Sequence, residues 1–490
     1  MKHNILTKIM SFVLLVLVVS SCSKKWIDSD INTNPDAPAD VPMELILPTI
    51  EARLAFDVVG SNDLTRTQSM WIQQMTGIAR QSQAEGAYTL RSGDVNNLWG
   101  NVYAGVLMDS KQLIDKAIAL ESPHFEGVGY ILTAVTLGIA TDNWNDIPWT
   151  DALQGDANLT PAFDSQEAIY GVIQDYLSKG ITALSSSTSV FSLSGDIIFE
   201  GDTQKWIEAA YALKARYAIH LSKRDNNAYS EALNHLGNAF TSNSGNMYYS
   251  YGSGDVNNAN PLYLFMQDRG DIRVSFQITD LLTTLGDPRL PMFATPISDT
   301  MEVNGDTYLP GSYVGAPAGQ PLDNASSPGP GIASSNSKTP FITYAELAFI
   351  KSEALVQTGD FNGARQALKD GLEASLNEYG VFDQGWFDMM SSEIDMYPDD
   401  ELLGAIMVHK WIAMMYNSES FVDWRRTGFP TLTPNPDAAT QEIPRRFPYA
   451  SDPITYNPNT PDLGNEPLWQ RVWWDVERSE ERRVGKECRS

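Results

Sequence analysis

Apolar residues recur at helical spacing over most of this chain, and the recurrence fades between residues 241 and 340. Trp99, Tyr103, Val106, Leu113, Ala117 and Leu120 fall three, four or seven residues apart, one stripe along a helix. The chain turns helical from Met43, and further helices are read over 130–140, 165–184, 205–222 and 229–240. Asp202 or Thr203 is placed to cap the 205–222 helix. Helices resume over 341–358, 362–378 and 402–416. A chain with this dominant period buries its stripes helix against helix, so the expected fold is mostly α. The Gly-, Ser-, Asn-, Pro- and Tyr-rich interruption holds two long loop candidates, 242–255 and 309–338. Loops of that length are uncommon unless they are functional or disordered.

The start of the chain reads as an export signal. Lys2 and Lys8 precede an apolar run over residues 9–19, followed by Ser20, Ser21 and Cys22. The run is shorter than the roughly 20 residues that cross a bilayer. Val19-Ser20-Ser21-Cys22 resembles a bacterial lipobox, in which the signal peptide is cut before the cysteine and the thiol is acylated. Each buried lipid CH₂ contributes roughly 0.8 kcal/mol, so several chains hold a protein on a membrane without a spanning helix. The expected organisation is a signal peptide over 1–21, a lipid-anchored tether over 22–40 and one folded domain over 41–477. The charge-dense tail 478–490 lacks aromatics and reads as non-native sequence. The only other cysteine is Cys488, which excludes a disulfide framework and a cysteine-ligated zinc in the body.

The formal charge of −27 repels phosphate backbones, so no nucleic-acid partner is expected. Zincin, nucleophile-elbow, P-loop and dinucleotide motifs are absent, and no cofactor is expected. His124, His220, His235 and His409 are not at metal-ligand spacing. His220 and His409 fall inside helices, where a hydrogen-bonded structural role is expected. Asp30 to Asn34 begins like an EF-hand loop, but Pro35 and Val41 replace the required Gly and Glu. Asp142 and Asp146 are an acid pair of glycosidase type, undirected in so acidic a chain. Glu346 and Glu353 lie on one helix face and are expected to pair with arginine, for which Arg216, Arg425 and Arg426 are available.

Two segments share a helix pattern. Tyr229, Ala232, Leu236 and Ala239 have the spacing of Phe361, Ala364, Leu368 and Gly371, and Thr358-Gly359-Asp360 supplies a bend before the second. This is the second-helix pattern of a tetratricopeptide-like hairpin, in which a small residue lets two helices approach. Aromatics in the polar loops suit a sugar, whose C–H face stacks on a ring while amides and carboxylates meet its hydroxyls. The candidate ligand-binding residues are Trp71, Tyr88, Tyr248, Tyr249, Tyr251, Tyr263, Tyr308 and Tyr313.

An ordered set of segments then points to a family. They include Asn32-Thr33-Asn34-Pro35, Trp99 with Tyr103, Asp146-Ile147-Pro148, and Trp206 through Tyr217. Asn260-Pro261-Leu262-Tyr263, Asp287-Pro288-Arg289-Leu290 and Tyr313-Val314-Gly315-Ala316-Pro317 follow. Tyr344 through Ala354, Lys410-Trp411, Asp423-Trp424-Arg425-Arg426 and Trp473-Trp474-Asp475 complete the order. With them the chain resembles the SusD/RagB nutrient-binding outer-membrane lipoproteins of Bacteroidetes, in their divergent SusD-like branch. The resemblance implies a scaffold of tetratricopeptide-like helical hairpins with irregular loop-rich segments packed on it. It implies a non-enzymatic, extracellular-facing lipoprotein that captures a nutrient, an oligosaccharide before a peptide. It also implies delivery to a SusC-like TonB-dependent transporter barrel in the outer membrane. A protein-interaction lid without a small ligand is the alternative.

Overall fold

Several helices in this protein begin at a polar side chain that caps them, among them Ser165, Asp202, Thr343 and Asp360, and some end at a left-handed glycine, Gly359 and Gly428 among them. The computed structural model describes residues 40–252 and 258–477. The signal sequence, Cys22, segment 30–34 and the tail 478–490 lie outside the described residues. The principal helices are α1 Met43–Arg53, α2 Met108–Ala119, α3 Pro123–Trp144, α4 Gln166–Leu184 and α5 Thr203–His220. They continue with α6 Ala228–Leu236, α7 Tyr344–Thr358, α8 Phe361–Glu378, α9 Leu402–Ala413 and α10 Glu419–Thr427. Asp202 is the cap of α5, accepting from the backbone N–H groups of Gln204 and Lys205 at 3.0 and 3.1 Å.

The α7–α8 pair is the hairpin that the repeat pattern called for. Thr343 caps α7, Gly359 ends it at φ 87°, and Asp360 caps α8 by accepting from Gly363 N–H at 2.9 Å. Gly371 faces Phe349, and a Cβ there would stand 3.1 Å from the ring. Replacing Gly371 with valine is expected to destabilise the fold by about 1–3 kcal/mol, because a filled hairpin crossing must spread. A urea midpoint unchanged from the parent protein would show that the crossing is looser than this contact implies.

Helix α3 packs on α2 and α4, α4 on α5, α5 on α6, and α7 on α6, α8 and α9. The fold is therefore mostly α, with hairpins laid side by side as expected. The strands are short antiparallel pairs. β1 Met75–Gly77 pairs with β3 Ile272–Val274, β2 Met247–Tyr249 with β6 Thr339–Ile342, and β4 Met301–Val303 with β5 Asp306–Tyr308. A large apolar core runs from α1 to the final tryptophans. A second lies among α7, α8, α9 and Gln384–Met396, and a small third supports the loops around Ile297 and Val314.

The structure differs from the sequence reading in several places. The stripe from Trp99 to Leu120 is Asn96–Gly100, a wider π turn over Asn101–Leu107, and then α2. Helices α6 and α9 stop at Leu236 and Ala413, and α7 begins at Tyr344 because residues 339–342 form β6. Pro261–Asp268 and Phe276–Leu285, inside the supposedly irregular stretch, are helices. Strands of three or four residues are too short for alternation to register.

Buried charges cross-brace the hairpins. Arg216 of α5 grips Glu346 of α7 with Nε–Oε1 2.6 Å, and the Glu346 carboxylate is fully buried. Arg426 of α10 binds Glu353 of α7 through both guanidinium ends and also Asp423, which Lys410 meets at 2.7 Å. Arg425, read as a third partner for these glutamates, instead donates to the Asp142 and Arg445 carbonyls and lies over Phe421 and Trp474. His220 bonds Glu419 at 2.6 Å through Nε2 and the Tyr170 hydroxyl at 2.9 Å through Nδ1. His409 departs from its expected hydrogen-bonded role. It is buried with Nδ1 unpartnered among the described residues, and burial, then the nearby Arg289, pulls it down to about 4, so it stays neutral.

Candidate functional site

A strand pairing and two helix ends build a cavity lined by both polar and apolar side chains. β2 and β6 run antiparallel with Tyr248 opposite Pro340. Side chains alternate along a strand, so Met247 and Tyr249 point into the core while Tyr248 is half-buried on the other face. There Tyr248 lines a cavity of 390 Å³ together with Lys338, Glu378, Tyr379, Tyr416 and Asn417. That volume is within the usual range for a small-ligand site.

The groups in the cavity are electrostatically linked. Lys338 Nζ lies 4.6 Å from the centre of the Tyr248 ring. The Tyr248 hydroxyl accepts from Asn246 Nδ2, and burial and then the nearby Glu378 carboxyl oppose its ionisation. Burial pushes Glu378 up to about 7, although the neighbouring Tyr248 hydroxyl and the Lys338 charge pull the other way. Tyr379 is fixed edge-to-face on Phe293, with ring centres 4.8 Å apart. Tyr416 sits at φ 56°, a left-handed conformation uncommon for a bulky residue, and its backbone N–H donates to Gln74 Oε1 at 2.9 Å. The same Gln74 side chain donates to the carbonyl of Trp411 at 2.8 Å, so one buried amide holds the turn that delivers Tyr416 and Asn417.

A second recess of 510 Å³ adjoins the first. Val59, Gly60 and Leu262 line the cavity, whereas Asp57, Ser61, Pro261 and Leu264 line the recess, so these two segments form the wall between them. Asp63, Arg66, Asn97, Asn101 and Arg269 are among its other polar lining residues. Burial raises Asp57 and Asp63, with Arg53 and Arg66 respectively opposing the shift.

The eight aromatic candidates divide sharply. Tyr248 alone lines the cavity. Trp71 is a core residue: it is fully buried, donates Nε1–H to the Glu85 carbonyl at 3.0 Å and stacks edgewise on Phe421 and Phe447. Tyr88 is buried, and its hydroxyl accepts from Asn435 N–H at 2.8 Å. Tyr249 and Tyr251 are buried with ring centres 4.8 Å apart, and Tyr251 bonds Thr339 at 2.8 Å. These four have no ring face open for stacking, which corrects their assignment. Tyr263, Tyr308 and Tyr313 are half-buried, in the first turn of Pro261–Asp268, at the end of β5 and against the main core. Lys338, Glu378, Tyr379, Tyr416 and Asn417 were not candidates, since nothing local distinguishes residues that meet only through the fold.

The acid pair is engaged structurally. Asp142 is buried and accepts from the Tyr170 hydroxyl and from Trp474 Nε1–H at 2.8 Å, while Asp146 accepts from Gln166 N–H. Two such carboxylates cannot flank a sugar. Among the described residues no group of three or more His, Cys, Asp or Glu is arranged to hold a metal ion.

The family model described as "SusD-like_2: Starch-binding associating with outer membrane" matches residues 35–450. The chain belongs to this SusD-like family. Solved structures share its fold. A SusD/RagB family protein from Bacteroides thetaiotaomicron superposes with a TM-score of 0.77 at 25% identity, covering 89% of this chain and 100% of the other. A chitin-binding SusD homolog from Flavobacterium johnsoniae superposes with 0.76 at 19% identity, covering 89% and 98%. A chitin-binding protein gives 0.75 at 23%, covering 89% and 100%. No curated protein matches the chain. The SusD-like body has no helix, among the described residues, long and apolar enough to cross a membrane.

Proposed function

We propose that this SusD-like protein captures an oligosaccharide in the 390 Å³ cavity and passes it to a SusC-like TonB-dependent barrel. The observation that carries the reading is the Tyr248 ring, held between Lys338 and Glu378 in a cavity of mixed polar and apolar lining. A sugar ring stacks on such a face while its hydroxyls meet the carboxylate, the ammonium and Asn417. The adjoining recess with its amides extends the site for a longer chain. The protein binds and releases without cleaving. In this reading Cys22 carries the lipid anchor that holds the body, residues 41–477, on the outer face of the outer membrane through the tether 22–40. The signal peptide 1–21 is removed in export, and the tail 478–490 plays no part.

The test is a binding panel on soluble protein spanning residues 23–477, with starch, chitin, other glycans and peptides, and with products monitored. Saturable glycan binding without cleavage is expected. Binding of peptides alone, or cleavage of a glycan, would sink the reading. Tyr248→Ala is expected to weaken binding about tenfold with an unchanged melting temperature, which calorimetry beside a thermal melt would measure.

The site also titrates near neutrality. Glu378, raised to about 7, is largely neutral near pH 6 and ionised near pH 8. The ionised form accepts stronger hydrogen bonds from sugar hydroxyls. Affinity is therefore expected to rise between about pH 6 and pH 8, and Glu378→Gln to flatten that profile. A profile that stays steep in the glutamine variant would assign the titration to another group.

A further inference from the structure

An aromatic groove lies on the helical scaffold and shares no lining residue with the cavity or its adjoining recess. Its volume is 430 Å³. Three rings from three elements line it: Tyr130 of α3, Tyr176 of α4, and Trp149 from the loop between those helices. The ring centres of Tyr130 and Tyr176 are 4.9 Å apart, and those of Trp149 and Tyr176 are 5.9 Å apart, both pairs edge-to-face. Ile114 and Leu153 add apolar surface, and Ile118 is 53% exposed at the edge.

The rings are held in place before any ligand arrives. The Asp164 carboxylate accepts from the backbone N–H groups of Trp149 and Thr150 at 2.9 and 2.8 Å, and from the Thr150 hydroxyl at 2.8 Å. The Tyr103 hydroxyl donates to the Pro148 carbonyl at 2.9 Å, pinning the loop from the other side. Lys179, paired with Asp175 at 2.8 Å, stands 5.9 Å and 5.3 Å from the centres of the Tyr130 and Tyr176 rings. Rings fixed in this way lose little rotamer freedom when they bind.

The charges of the lining cancel, because Lys111 and Asp115 form an ion pair one helical turn apart. Neither an anion nor a cation gains from entering. An aromatic patch with a neutral, partly polar lining suits a ligand that is flat, uncharged and hydroxylated. A purely apolar segment would take water from the exposed Lys111–Asp115 pair without offering it hydrogen bonds.

We propose that this groove is a second glycan-binding place, which takes a neutral stretch of polysaccharide by stacking on Trp149 and Tyr176. The proposal rests on the glycan-capture reading above, and it adds a site on the hairpin scaffold rather than a subsite of the cavity. Two weak places on one protein raise retention of a long polymer without altering either one's intrinsic affinity.

The experiment is native affinity electrophoresis through gels containing amylopectin, glycol chitin, laminarin or xylan. It compares the parent protein, Tyr248→Ala, Trp149→Ala and the double variant on whichever gel retards the parent. Trp149→Ala is expected to weaken retention about threefold to tenfold. Tyr248→Ala is expected to keep residual retention that the double variant loses. Tyr130→Ala, whose ring lies beside Tyr176, is the second groove variant, and thermal melts confirm that each variant is folded. Parent-like retention of both groove variants, on a gel where Tyr248→Ala fails, would overturn the groove and leave the cavity standing. If no gel retards the parent protein, the glycan reading fails, and the groove proposal fails with it.

Discussion

Replacing Glu353 with alanine is expected to destabilise the protein by about 3–5 kcal/mol, a larger loss than any surface change should produce. Glu353 is fully buried in α7, and its carboxylate takes both ends of the Arg426 guanidinium. Removing it strands Arg426 with Asp423 as its remaining carboxylate, and Asp423 is already shared with Lys410. Two buried cations would then compete for one anion where water does not reach. The converse experiment separates the pair's net value from the cost of breaking it. Replacing Glu353 and Arg426 together with methionine removes both charges, and it should cost less than Glu353→Ala alone. Urea denaturation of the three proteins would measure this. A double variant less stable than the single one would show that the pair itself, rather than the stranded charge, carries the stability.

The second large effect is a loss of stability at alkaline pH that originates at His220. Burial by itself would lower the imidazole pKa. The Glu419 and Asp142 carboxylates outweigh burial and raise it to about 9. Tyr170, Tyr217 and Trp474 pack around the ring, from α4, from α5 itself and from the terminal turn. A cation held in this way binds its proton more tightly in the folded state than in the unfolded one. Its stabilising contribution is therefore complete below the unfolded value of about 6.5 and is lost as the pH rises through about 9. The expected result is a stability gap between the parent protein and His220→Gln that closes between about pH 7 and pH 10, by an amount on the order of a few kcal/mol. Denaturation midpoints measured across that range would test it. A gap that stays constant would mean that the imidazole is neutral throughout.

The particular residues show how much could be read in advance. The pattern Phe361, Ala364, Leu368 and Gly371 identified a hairpin because a helix crossing places its demand on one local residue, and Gly371 meets Phe349 as that demand requires. Arginine partners for Glu346 and Glu353 were inferable because buried carboxylates need them, yet Arg425 was misjudged as one of those partners. The equal availability of three arginines in sequence says nothing about which reaches which helix. Among the aromatics, the tyrosines at 248, 249 and 251 looked equivalent. The alternation of β2 put Tyr248 in the cavity and Tyr249 in the core, and that strand exists only because β6, some ninety residues later in the chain, pairs with it.

The sequence by itself determined the helical architecture and the order of motifs by which the chain joins the SusD-like family. These follow from local periodicity and composition, which need no knowledge of distant neighbours. Tertiary structure alone decided the cavity. Tyr248, Lys338, Glu378, Tyr416 and Asn417 come from four separate stretches of chain, and only folding makes them neighbours. The same holds for Trp149, Tyr130 and Tyr176, whose groove is assembled from three helices and a clamped loop. Helical spacing is written into each segment, whereas a binding surface is written into the contacts between segments.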